Sequence, residues 1–124
     1  MTQIDDVVHS LFTSLDAKDT AGICSLLVDD AAMVDEITKG WMVGRETLRQ
    51  HLDATFAGVE AIASNVRDLR VRATGDFATA TCTLLQRYTL NGQTVDVVAP
   101  TSMSFERSNG EWLIVTMHAI PLAD

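Results

Sequence analysis

The chain has 124 residues, 47% of them hydrophobic and 21% charged, which is enough for one packed core and too short for two. Nine basic against seventeen acidic residues give a net charge of −8, which argues against nucleic acid and anionic membrane surfaces as partners. With no linker-like, low-complexity or repeated stretch, residues 1–124 read as a single domain.

Asp5 and Asp6 interrupt any apolar leader, and no run of about 18 apolar residues occurs, so a soluble, cytoplasmic protein is expected. Residues 1–36 hold eight acids against Lys18 alone, which reads as a solvated face. Cys24 and Cys82 each sit among apolar neighbours. They read as reduced core residues, a helix-to-strand disulfide being the weaker alternative.

Ile4, Val7, Val8, Leu11, Phe12 and Leu15 recur at helical spacing, and Thr2 followed by Asp5 resembles a capping box, which predicts a helix over 2–17. Asp19 can cap a second, shorter helix through Leu27, which Asp29-Asp30 then breaks. A short strand from Ala31 to Ile37 follows, then an extended piece at Trp41-Met42-Val43. A third helix covers 45–57 on the spacing of Leu48, Leu52 and Phe56.

Beyond it, turn signals at Gly75-Asp76, Asn91-Gly92 and Asn109-Gly110 divide four long strands, about 60–74, 77–90, 93–107 and 111–120. Strands this long must bend, and Pro100 is expected to mark a bulge or break in the third. The fold class is therefore α+β, with three N-terminal helices packed in a strongly curved, mostly antiparallel sheet. Its mouth leaves a central pocket.

This order of elements resembles the nuclear transport factor two-like superfamily, with its SnoaL-like and ketosteroid isomerase-like members. The resemblance rests on Leu15-Asp16-Ala17-Lys18-Asp19, on Leu27 to Asp35, on Gly44-Arg45-Glu46, on Gly75-Asp76-Phe77-Ala78 and on Gly110-Glu111-Trp112-Leu113-Ile114. It implies a cone-shaped, cystatin-like roll and a small-molecule pocket. Asp35 falls where the ketosteroid isomerase branch carries its carboxylate base. Leu11 and Ser102 stand where that branch carries its oxyanion donors, and losing one such donor typically costs ~2.7–4 kcal/mol in the transition state. Efficient ketosteroid isomerisation is therefore not expected.

As candidate catalytic residues, Asp35 has a carboxylate among apolar neighbours and His118 an imidazole able to serve as acid, base or hydrogen-bond donor. Each also has a plainer reading: a rim carboxylate beside Glu36, and a half-buried structural histidine. Strand alternation places His118 on one face with Trp112, Ile114 and Thr116. The same rule puts Arg70 and Arg72 on one face and Arg67 on the other, paired at the surface with acids such as Asp68. His9 and His51 read as surface helix residues.

Phe12, Trp41, Phe56, Ser102 and Met103 are the candidate ligand-binding residues, with Met33 and Tyr88 as further large side chains able to line a pocket. No metal, nucleotide or serine-nucleophile motif is present, so no cofactor and no metal are expected. The resemblance implies a SnoaL-like pocket protein that takes an apolar, carbonyl-bearing or polycyclic ligand and acts on it by proton transfer, as a cofactor-independent isomerase, cyclase or dehydratase. The alternative is a non-catalytic dimeric binding or interaction module. In both readings a homodimer forms through the sheet.

Overall fold

A computed structural model describes residues 3–34 and 40–121. Thr2 and Asp35 lie outside the described residues. Helix α1 spans Ile4–Asp16, with Gln3 at its N-cap and no side-chain capping bond, so the cap expected from Thr2 and Asp5 is not the described arrangement. Its buried stripe is Ile4, Val7, Val8, Leu11 and Phe12, at the spacing that predicted it. The second helix, α2, is shorter than expected, Thr20–Cys24, and Asp19 caps it by accepting a 3.0 Å bond from Gly22 N.

Strand β1 then starts at Leu27 and runs to Val34, so Asp29-Asp30 does not separate a helix from a strand but lies inside the strand. Its pairing with the last strand steps from Leu27 to Ala32 while the partner advances only from Ile114 to Thr116. The irregular segment between lets both aspartates remain exposed, and Asp29 pairs there with Arg45. Strand β2 is Met42–Val43 and helix α3 is Arg45–Gly58. The long strands are β3 (Val59–Thr74), β4 (Phe77–Leu90), β5 (Gln93–Ser108) and β6 (Glu111–Ala119).

All six strands form one sheet in the order β2-β1-β6-β5-β4-β3, antiparallel except for β1 beside β6. Two hairpin turns place Asn91-Gly92 and Asn109-Gly110 at positive φ, 52° and 78° then 54° and 79°, the backbone that two-residue hairpins require. One face of the sheet is buried against the helices: Ala78, Ala80, Cys82 and Leu84 on β4 oppose Phe105, Met103, Thr101 and Ala99 on β5. Together with the α1 stripe, Ile23, Leu27, Leu48 and Ile114 they form the core, each large side chain contributing about 1.5–3 kcal/mol on burial. Thr79, Thr81, Thr83 and Leu85 therefore face outward.

Pro100 causes neither bulge nor break. The β4–β5 register runs unshifted past Thr83↔Pro100. Its carbonyl accepts from Ile120 N at 3.0 Å, just past the final β5–β6 pair, Thr101↔Ala119. The N–H that proline lacks would point to that same side, toward Ile120 just beyond the end of β6, so the missing bond falls at the end of the ladder and not inside it.

Register slips do occur elsewhere, and two of them reverse the alternation read from sequence. In β3 the register slips between Arg67↔Thr83 and Arg70↔Thr81, around Asp68 at φ 55°. Arg67, Arg70 and Arg72 thus all oppose outward threonines and share the outer face, and among the described residues none of the three forms an ion pair. In β6, Ser104 pairs with Thr116 but Phe105 with Ile114, making Val115 the extra residue. Beyond it, Met117 and Ala119 turn toward the helices while Thr116 and His118 turn outward.

Candidate functional site

Between the helices and the inner face of the sheet lies a cavity of about 520 Å³, within the range of small-molecule sites. Helix α1 contributes Leu11, Phe12 and Leu15; α3 contributes Leu48, Leu52 and Phe56; β1, β2 and β6 contribute Met33, Met42 and Met117. On β4, Leu84, Gln86, Tyr88 and Leu90 follow one another at every second position, as one strand face must. Against this apolar wall the described side chains able to hydrogen-bond are His51, Thr55, Gln86 and Tyr88.

One polar group is fixed by a chain of bonds reaching back to helix α1. Asp16, its last residue, accepts from Ser64 N at 3.0 Å through Oδ2 and from Ser64 Oγ at 2.7 Å through Oδ1. Ser64 Oγ accepts in turn from Gln86 Nε2 at 3.1 Å, and Ser64 and Gln86 face each other across β3 and β4. Nearby, the Lys18 amine donates to the carbonyls of Val59 and Glu60, the latter at 3.0 Å, tying the end of α1 to the start of β3.

Of the expected ligand-binding residues, Phe12 and Phe56 line the cavity, as do Met33 and Tyr88. Met103 is buried beside it in the core, 2% exposed, and Ser102 is exposed on the outer face. Trp41 is 58% exposed. Its ring lies 6.0 Å from that of His118, and His118 is half-buried between Val34 and Ser102 on neighbouring strands, so neither lines the cavity. Asp35 follows directly on Val34, which does line it.

His51 is the correction in the other direction, a half-buried cavity residue rather than a surface one. The signal was available: it stands three residues after Leu48 and one before Leu52, inside the apolar stripe of α3. A neutral imidazole offers one donor and one acceptor, and a phenol offers both, so His51 and Tyr88 can bind or move a proton.

Both cysteines are free; Cys82 is buried in the core and Cys24 is half-buried rather than fully enclosed. Burial pushes both thiols above their ordinary value, opposed at Cys24 by Arg45 and Arg49. Among the described residues no group of histidines, cysteines and carboxylates could hold a metal ion, and no helix is long and apolar enough to cross a membrane.

The family of SnoaL-like domains matches residues 4–123. The chain belongs to that family. Its fold is shared with a Streptomyces avermitilis protein of the NTF2-like family proposed to be a dehydratase, at 20% identity and a TM-score of 0.88 over 98% of this chain and 95% of that one. It is shared also with a type 2 hexachlorocyclohexane dehydrochlorinase, at 19% identity and 0.85 over 97% and 86%. An NTF2-like protein with a cystatin-like fold from Novosphingobium aromaticivorans is similar at 21% identity and 0.80 over 96% and 79%. No curated protein sequence matches the chain. These likenesses establish the cystatin-like, NTF2-like roll expected from the sequence.

Proposed function

We propose that this SnoaL-like domain takes an apolar, carbonyl-bearing small molecule into its cavity and moves a proton on it without a cofactor, in an isomerisation, cyclisation or dehydration. The observation that carries this reading is the 520 Å³ apolar cavity with few polar groups set into its wall. Asp35 is the proposed base and His51 the proposed partner on the cavity wall. His118 and Ser102, both on the outer face, are left to the sheet surface. Two of the fold relatives are named as a dehydrochlorinase and a proposed dehydratase, and an elimination removes a proton from carbon, a transfer that a carboxylate or imidazole supports.

The test is a panel of aromatic ketones and polyketide-like compounds, scored by thermal shift and, in heavy water, by deuterium uptake next to the carbonyl. Uptake that is lost in Asp35→Asn while binding persists supports the reading. A panel that neither binds nor exchanges overturns it.

A second reading is a non-catalytic dimeric module, and one observation bears on the dimer that both readings share. Phe77 and Val98, on outward positions of β4 and β5, are 68% and 44% exposed, and Val43 at the far edge is 58% exposed. We propose that a second copy covers this face, in the enzyme and module readings alike.

A further inference from the structure

The hydrogen-bond chain from Asp16 to Gln86 has a direction, and the direction says what the cavity recognises. An ionised carboxylate only accepts, so the one hydroxyl hydrogen of Ser64 is committed to Asp16 Oδ1. Ser64 Oγ can then only accept from Gln86, which requires the amide nitrogen, not the amide oxygen, to sit 3.1 Å away. The orientation of the Gln86 carboxamide is thereby set by a carboxylate two residues removed in the chain of bonds. Its carbonyl oxygen Oε1 receives no hydrogen bond from a described residue, and it belongs to a side chain that lines the cavity between Leu84 and Tyr88. A carbonyl oxygen held among apolar side chains without a donor is costly to cover with hydrocarbon and favourable to cover with a hydroxyl.

We propose that Gln86 Oε1 is a specificity-determining acceptor which selects, among apolar ligands of this cavity, those that carry a hydroxyl donor. Asp16 and Ser64 act as positioning residues that keep the acceptor, rather than the amide N–H₂, turned to the ligand. The proposal rests on the pocket reading above and adds the ligand class, a hydroxylated aromatic or polycyclic compound. It also accounts for why a carboxylate is placed at the end of α1: a neutral amide there could not accept both Ser64 bonds, and the second group would push the Ser64 hydrogen toward Gln86.

The probes are 2-naphthol and 2-methoxynaphthalene, equal in ring and differing in the donor, with binding to the full chain followed by calorimetry. The wild-type chain is expected to prefer 2-naphthol by about tenfold, the scale of one buried hydrogen bond and the penalty for leaving its acceptor bare. Gln86→Leu should reduce the ratio to near one without weakening the methoxy compound. Asp16→Asn, which retains the shape but not the direction of the chain, should lower the ratio too and decides the matter if Gln86→Leu does not fold. Equal binding of both probes to the wild type overturns the proposal and leaves the pocket reading intact. A preference that survives Gln86→Leu, or Asp16→Asn where that stands in, assigns the recognition to other wall groups and overturns it as well. Binding of neither probe overturns this proposal, and the pocket reading falls with it only if the ketone panel also fails to bind.

Discussion

The rings of Trp41 and His118 lie 6.0 Å apart and tilted by 54°, while Met117, the next residue back along β6 from His118, lines the cavity on the other face of the sheet. A one-residue step thus separates a surface pair from the site. We expect His118→Ala to leave binding of cavity ligands unchanged, and His51→Ala to weaken it several-fold. Calorimetric titration of both variants with one ligand checks this, and the opposite order would move the site to the outer face.

The Lys18 amine bridges α1 to the carbonyls of Val59 and Glu60. Hydrogen bonds from a charged donor are the stronger kind, reduced here by partial exposure, so Lys18→Met should cost about 1–2 kcal/mol. A shift of the urea midpoint at unchanged slope is the expected readout.

Cys82 is raised by burial alone, so its folded value lies above the unfolded one, ordinarily near 9.0. A folded state that holds its proton more tightly than the unfolded state keeps full stability below that ordinary value and loses it as pH climbs past it. Cys82→Ala should therefore flatten the alkaline decline in stability, measured by denaturation at pH 7 and at pH 10. In native protein at neutral pH, thiol reagents should label Cys82 far more slowly than the half-buried Cys24, and equal rates would contradict its burial.

The proposed sheet-face dimer is tested at Phe77 and Val98. The parent chain is expected to scatter as a dimer at micromolar concentration, and replacing both with Asp should yield a folded monomer. A parent chain that is already monomeric would refute the interface.

Much of this fold was legible because its signals are local. The α1 stripe from Ile4 to Phe12 and the turns at Asn91-Gly92 and Asn109-Gly110 each state their conformation within a few residues. What escaped was parity. The extra residue at Val115 carries no turn chemistry, yet it moves His118 outward and Met117 inward. Asp68, a residue type that tolerates positive φ, does the same for Arg67. Assignments downstream of an unseen bulge are inverted, whereas Phe12 and Phe56, on helices, are untouched by such slips and line the cavity. Gln86 escaped for another reason: its partners Ser64 and Asp16 are 22 and 70 positions away in sequence, and only the packing of α1 against β3 brings the three together.

Pro100 marks the point where β5 outruns β6, and this has a kinetic signature. Backbone groups on a strand point alternately to its two sides, and the Pro100 carbonyl points toward β6. The amides of Thr94, Asp96 and Val98 share that direction, where no described strand lies beside them, while those of Val95, Val97 and Ala99 turn to β4. Hydrogen exchange along this stretch should therefore alternate fast and slow, residue by residue, and become uniformly slow once β6 is alongside from Thr101 onward. In the intact chain, the strand would report by its exchange rhythm alone where its second neighbour begins.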